Sequence, residues 1–267
     1  NLLILLDASG SMGWRMSSAQ SVNYPMQSTT DSSGNIFVSQ YYIYGVKKFT
    51  YANKKIDTNW GDSGVHKGRS SSSQCRVYYN YGSAKIHNGI IYVPSYYDRK
   101  IRMIRESDGA CLGSITINQY IRGFDIHTIS GTAHLFALHS GGVYTRNLSN
   151  NVSKTCSHGN NNYLRYTFAA AANSETAGNY LYTYYANRIA RFELVASGNN
   201  FCPQPSGYKT TYRNMGSVYG MTAHPTNAGE LYFMSYSNSK LYKETVAASG
   251  TSHTLNWTIG SRRYNGT

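Results

Sequence analysis

The residues of this chain that could do chemistry fall into four groups, and each asks for a different partner. Asp7, Ser9 and Ser11 in Leu3-Ile-Leu-Leu-Asp7-Ala-Ser9-Gly-Ser11 offer a carboxylate and two hydroxyls at alternate positions, an oxygen set suited to Mg²⁺ if later loops complete the shell. The same Ala-Ser-Gly recurs at Ala196 to Gly198 and at Ala248 to Gly250, and turn chemistry explains all three copies. His87, His127 and His224 could in principle bring three imidazoles to one zinc. They stand five, nine and eight residues before the aromatic of the strand that follows, so their heights do not match and polar turn residues are the plainer reading. Asp125 alone among the carboxylates stands well inside an inner strand, where backbone amides more often hold an Asp than catalysis uses it. No Gly-x-Ser-x-Gly elbow, His-Glu-x-x-His or phosphate-binding glycine loop occurs. The expectation is no enzyme, no metal and no cofactor.

The fourth group recurs. Tyr41-Tyr42, Tyr96-Tyr97, Tyr184-Tyr185 and Tyr236 are each followed within a few residues by basic side chains: Lys47-Lys48, Arg99-Lys100, Arg188 and Lys240. Tyrosine presents a flat ring and a hydroxyl at small entropic cost, and Lys and Arg attract acidic groups. Together they predict a binding face of Tyr41, Tyr42, Tyr96, Tyr97, Arg99, Lys100, Tyr184, Tyr185, Arg188 and Tyr236. Packing between neighbouring sheets is the competing use of the same rings, because the two members of a Tyr pair must point opposite ways along a strand.

The elements that would position these residues repeat along the chain. Gly34-Asn-Ile-Phe-Val, Gly89-Ile-Ile-Tyr-Val, Ala133-His-Leu-Phe-Ala, Gly178-Asn-Tyr-Leu-Tyr-Thr and Gly229-Glu-Leu-Tyr-Phe each place an aliphatic residue and then an aromatic one. The aromatics Phe37, Tyr92, Phe136, Tyr182 and Tyr232 are 55, 44, 46 and 50 residues apart, the length of a four-stranded propeller blade. A weaker strand precedes each, as in Gly123-Phe-Asp-Ile-His127 and Gly220-Met-Thr-Ala-His224, and an alternating strand follows, as in Asn187-Arg-Ile-x-x-Phe192. A Gly-bearing turn and an outer strand with Trp60 or Trp257 near its end complete the unit.

On these motifs the chain resembles the NHL-repeat and related six-bladed β-propellers, whose blades carry a Gly-Asn-Ile-Tyr-Val type of second strand and an Asn-Arg-Ile-x-x-Phe type of third. The resemblance implies an all-β propeller of four-stranded antiparallel blades over nearly the whole chain. Residues 1–20 read as a half blade, followed by blades at about 21–74, 75–120, 121–162, 163–213 and 214–267. Six blades with one incomplete is the favoured count, and five blades with an extra N-terminal hairpin the alternative. Asp7-x-Ser9-x-Ser11 also looks like the metal-ion-dependent adhesion site of von Willebrand factor A domains, but no helix of 3.6-residue period follows to build that fold. The three histidines resemble the zinc ligands of peptidyl-amidating lyases, although in that pattern the ligands follow the second strand, where this chain has His139 only. Within the blade scheme Cys75, Cys111, Cys156 and Cys202 fall on the outer parts of successive blades, so Cys75 with Cys111 and Cys156 with Cys202 is the expected pairing of the three possible.

Composition bounds the setting. The 267 residues include 26 Tyr and 25 Gly, and 25 Lys plus Arg against 12 Asp plus Glu give a net charge of +13, too aromatic and too sparsely charged for a disordered or coiled-coil chain. The longest apolar run, Leu2 to Leu6, is too short to span a bilayer. The chain opens on Asn rather than Met and is expected to be a mature form or a fragment. Four sequons, at Asn147, Asn151, Asn256 and Asn265, and an even Cys count point to an extracellular or cell-surface glycoprotein. Basic NHL-type propellers can bind single-stranded RNA, but a glycosylated secreted chain does not meet it, so no nucleic acid is expected. The expected role is a binding or structural module of a matrix, cell surface or filament, with protein subunits or acidic glycans as partners and a homo-oligomer possible; a secreted propeller lyase or hydrolase with a central metal is the alternative.

Overall fold

Short apolar runs separated by two- to four-residue turns can return antiparallel to their neighbour but cannot cross over it, so such a chain builds up-and-down sheets. The computed structural model describes residues 25–40, 44–53, 55–68, 75–78, 84–175, 178–224, 227, 229–235, 237, 240–246 and 253–259. They fall into two compact units, one reaching Ile121 and one starting at Arg122.

The first unit holds two sheets. β1 (Pro25–Thr30), β2 (Ile36–Gln40) and β3 (Gly45–Phe49) pair in that order, and isolated bridges from Lys47 to Val65 and from Phe49 to Ile56 carry the pairing one step outward. The second sheet runs β4 (Lys85–His87), β5 (Ile90–Ser95), β6 (Lys100–Arg105), β7 (Cys111–Thr116). Its first hairpin turns at Asn88 and Gly89, with φ of 47° and 69°, the two left-handed residues of a turn whose twist matches the strands. Phe37, Val46, Trp60, Val77, Ile91, Val93 and Ile104 form one buried cluster. Trp60 meets Phe37 edge-on at 5.5 Å, and its Nε1 donates to the Glu106 carbonyl at 2.7 Å. A Cys75–Cys111 disulfide fastens the segment after the first sheet to β7.

The second unit holds three sheets. β8 (Gly123–Ile129), β9 (Thr132–His139), β10 (Gly142–Asn147) and β11 (Ser153–Cys156) form one. After a single helical turn, α1 (Asn162–Arg165), come β12 (Ala170–Glu175), β13 (Gly178–Tyr185), β14 (Arg188–Ser197), β15 (Asn200–Pro203) and β16 (Lys209–Tyr212), with β14 long enough to pair β15 along one half and β16 along the other. The last sheet is β17 (Val218–Ala223), β18 (Glu230–Ser235), β19 (Lys240–Val246), β20 (His253–Ile259).

β13 shows why these strands read as apolar on both faces: Leu181 enters one buried cluster with Phe136, Leu138 and Phe192, while Tyr180, Tyr182 and Tyr184 enter another with Leu231 and Phe233. A sheet buried on both faces must be covered by a neighbour on each. Polar links reinforce the stacking. Asp125 Oδ2 on β8 accepts from the Ala172 amide on β12 at 2.6 Å, and Oδ1 from the Ile126 amide at 2.8 Å, so this buried carboxylate is held by backbone amides. Asn173 Nδ2 donates to the Asn227 carbonyl at 3.2 Å. A Cys156–Cys202 disulfide joins β11 to β15. Both disulfides follow the pairing expected from successive blades, and by the loop-entropy relation each contributes about 4 kcal/mol.

The five aliphatic-aromatic runs of the sequence are β2, β5, β9, β13 and β18. Five antiparallel sheets stand among the described residues, the number in the alternative reading; the half blade expected in residues 1–20 lies outside those residues.

Candidate functional site

Within the first unit, the β5–β6 hairpin gathers rings and guanidinium groups. Ser95 pairs with Lys100, leaving Tyr96, Tyr97, Asp98 and Arg99 as the loop. The Arg99 amide donates to the Tyr96 carbonyl at 3.2 Å, and Arg99 takes a φ of 56° to finish the turn. Asp98 fixes it from below: Oδ2 accepts from Arg102 Nη2 at 2.5 Å and lies 3.0 Å from Ser95 Oγ. Ser95 Oγ accepts from the Tyr78 amide at 3.0 Å and shares its one proton between Asp98 and the Tyr78 carbonyl, 2.9 Å away. One buried hydroxyl thus ties the segment at Tyr78 to the β5–β6 loop. The Ile117 amide donates to the Arg99 carbonyl at 2.9 Å and brings Tyr120 over the same loop.

Five tyrosines result in a continuous ladder. Tyr96 stacks on Tyr120 at 4.9 Å and 22°, Tyr97 stands edge-on to Tyr96 at 5.2 Å, Tyr78 follows at 5.5 Å and Tyr44 at 5.4 Å from Tyr78. Arg99 Nη2 donates to the Tyr120 hydroxyl at 3.1 Å with its guanidinium 4.5 Å from the ring centroid. Arg76 lies 4.0 Å from the Tyr44 ring and 5.0 Å from that of Tyr78. Tyr97 is 48% and Tyr120 37% exposed. Neither Arg76 nor Arg99 forms an ion pair among the described residues, whereas Arg102 and Arg105 of the same sheet face Asp98 and Asp108. Rings and uncompensated cations together can take a planar or acidic group in a site already organised for it.

Of the residues read from the sequence, Tyr96, Tyr97 and Arg99 meet in this cluster, and Lys100 stands half-buried at the start of β6 beside it. Tyr41, Tyr42 and Tyr236 lie outside the described residues, as do Asp7, Ser9, Ser11 and Asn265. Tyr184 is a correction. In its sheet the hairpin closes two residues later, on Ala186 and Asn187 with φ of 51° and 58°, so Tyr184 and Tyr185 are strand residues with opposite faces. Tyr184 is 5% exposed; its hydroxyl donates to the Arg213 carbonyl at 2.8 Å and accepts from the Met215 amide at 3.0 Å, and burial raises its pKa. It belongs to the core. Tyr185 and the exposed Arg188 belong to the second unit, Arg188 lying 5.9 Å from the Tyr212 ring.

Sequence reasoning missed Tyr44, Arg76, Tyr78 and Tyr120, which no repeat position marks. Arg76 and Tyr78 had one signal, the alternation in Cys75-Arg-Val-Tyr78 around buried Val77.

In the second unit the described His127 and Ser174 are joined in one polar network. His127 Nε2 lies 3.0 Å from Ser174 Oγ, but Ser174 Oγ donates to Asn179 Oδ1 at 2.8 Å, and the same amide oxygen is 3.3 Å from Nε2. The hydroxyl proton is directed to an amide, and the imidazole has no proton to take from it. Among the described residues no three His, Cys, Asp or Glu gather to hold a metal; His224 Nδ1 accepts from the Asn227 amide at 3.0 Å.

Of the sequons, Asn151 and Asn256 are exposed, but Asn147 is 8% exposed. Its Nδ2 donates to the Asn199 carbonyl at 3.1 Å, while its Oδ1 accepts from the Ser149 amide at 2.9 Å and the Asn150 amide at 3.3 Å. It caps the turn it sits in, so the amide of this sequon is engaged in the fold.

No protein-family model matches the chain, and no curated protein matches it in sequence. Solved structures do match its fold. A nidogen/laminin complex aligns with a TM-score of 0.60 at 9% identity, over 89% of this chain and 80% of that one. A streptogramin B lyase aligns at 0.59 and 11%, over 94% and 72%, and a virginiamycin B lyase from Staphylococcus aureus at 0.55 and 12%, over 86% and 69%. The chain is a β-propeller. Likeness at these identities carries the architecture alone, since lyases and a nidogen/laminin complex share it, and no family model supports the NHL resemblance.

Proposed function

We propose that this propeller is an extracellular binding module rather than a catalyst, and that the tyrosine-arginine ladder of the second blade is its ligand face in the first unit. The observation that carries this reading is the ladder itself: Tyr78, Tyr97, Tyr96 and Tyr120 in a continuous chain of ring contacts, with Arg76 and Arg99 stacked on the rings and no carboxylate paired to either among the described residues. These rings and guanidinium groups stand apart from the buried apolar cluster of the same unit. Two disulfides support an oxidising, extracellular setting.

The partner is an acidic glycan or a protein subunit, and salt separates them. Attraction to an acidic chain fades as salt shortens the Debye length below about 8 Å, whereas burial of aromatic surface against a protein is little affected. Replacing Tyr97, Arg99 and Tyr120 together with Ala should reduce binding to the native partner at least about tenfold with the melting temperature held, because all three are exposed and rings and Arg dominate such faces. Unchanged binding by this triple variant would reject the face.

A further inference from the structure

The second unit brings together two guanidinium groups that form no ion pair among the described residues. Arg122 precedes β8, where its amide donates to the Leu138 carbonyl at 2.8 Å. α1 starts at the Asn161 cap, whose Oδ1 accepts from the Tyr163 amide at 2.9 Å, and buries Leu164, which leaves Arg165 partly exposed and Tyr166 36% exposed. Arg122 Nη1 donates to the Arg165 carbonyl at 2.8 Å, and the two guanidinium carbons lie 5.8 Å and 5.2 Å from the centroid of one ring, Tyr166. The aromatic surface continues through Tyr185, 5.7 Å from Tyr166, to Tyr163.

Like charges gathered on one ring repel unless an anion joins them, and the unit has almost none to give. From residue 122 onward the acids are Asp125, Glu175, Glu193, Glu230 and Glu244. Asp125 is held by amides, and Glu175, Glu230 and Glu244 by Arg191, Lys243 and Arg213. Glu193 is exposed on β14, and among the described residues neither Arg122 nor Arg165 has an ion-pair partner, which leaves both guanidinium groups open to an external anion.

We propose that Arg122, Arg165 and Tyr166 form an oxyanion subsite for an acidic sugar, the guanidinium edges binding its sulfate or carboxylate oxygens and the tyrosine ring packing on its C–H face. Two planar forks suit an oxyanion's geometry, and an exposed ring continued by Tyr185 suits a flat, hydroxylated ring better than a compact ion. This rests on the binding-module reading for its chemistry but not for its residues, so Arg99→Gln tests the first unit's face and Arg165→Gln this one, and either can fail alone.

The test is titration calorimetry of the full chain with a sulfated, uronate-bearing disaccharide, its neutral counterpart, inorganic sulfate, and an acidic peptide. The disaccharide should bind, lose at least about tenfold in affinity in Arg165→Gln and in Tyr166→Ala, recover in part in Arg165→Lys, and be unaltered in Arg105→Gln, whose guanidinium already faces Asp108. Arg122 is left intact because its side chain also holds the turn after α1. Equal binding of the neutral sugar, binding of inorganic sulfate as tight as that of the disaccharide, preference for the peptide, no binding, or an unaffected Arg165→Gln variant would each overturn the proposal.

Discussion

Asn147 and Asn151 are four residues apart in one turn, yet their amides have opposite fates. A glycan attaches to Nδ2, and in Asn147 that atom is spent on the Asn199 carbonyl, while Asn151 and Asn256 are exposed and offer only their Oδ1, to Arg146 and Thr245. Protein from its native source should therefore carry glycans at Asn151 and Asn256 and none at Asn147, with occupancy read by glycopeptide mass spectrometry; a fully occupied Asn147 would contradict the buried turn. Glu230 makes a second residue-scale prediction. Burial alone would raise its pKa, but the Tyr232 hydroxyl, Lys243 and Asn227 all favour the carboxylate and carry it from 4.5 down to about 2. A folded-state pKa below the unfolded one gives stability that is present above pH 4.5 and lost as pH falls toward about 2. Glu230→Gln should be less stable than the parent at neutral pH, with the gap in melting temperature closing as pH drops through that window. A gap independent of pH would assign the loss to packing instead.

At the scale of the strand, the sheets are locked to one another by single polar side chains reaching across. Asp125 is the clearest: Asp125→Ala removes the acceptor of a buried Ala172 amide on the next blade's inner strand and should cost about 1–3 kcal/mol, the desolvation penalty of an orphaned donor. Asp125→Asn keeps an oxygen and should lose less. Urea denaturation of the two variants measures this, and equal losses would show that the charge rather than the acceptor matters. Hairpin length is the other device at this scale. A four-residue loop at Tyr96–Arg99 lifts both tyrosines out of the strand, whereas a two-residue turn at Ala186–Asn187 keeps Tyr184 and Tyr185 in it and drives one into the core. The same Tyr-Tyr text acquires two roles from a difference of two residues in register.

For the molecule as a whole, basic residues far outnumber acidic ones. Arg213 braces its blade against Glu244, and Arg191 does so against Glu175 with the Tyr180 ring 3.5 Å from its guanidinium, whereas Arg99 and Arg165 meet rings and no carboxylate among the described residues. With 12 acids for 25 Lys and Arg, the surplus of +13 cannot be neutralised within the chain, whatever the fold. Sequence by itself determined that surplus, the five aliphatic-aromatic strands, and the blade-length spacing, because a strand buried on both faces writes its apolar run locally. It also carried the disulfide pairing, since neighbours in an up-and-down sheet stack are neighbours in the chain. Only the tertiary structure decided which rings face out. Tyr120, Tyr78 and Tyr44 reach the Tyr96–Tyr97 loop from segments 18 to 53 residues away, through hydrogen bonds to Ser95 and to the Arg99 carbonyl that leave no periodic mark. It likewise took Asn147 and Tyr184 out of the exposed set, because burial of an amide or a phenol depends on what the neighbouring blade presents to it, and that partner is distant in sequence.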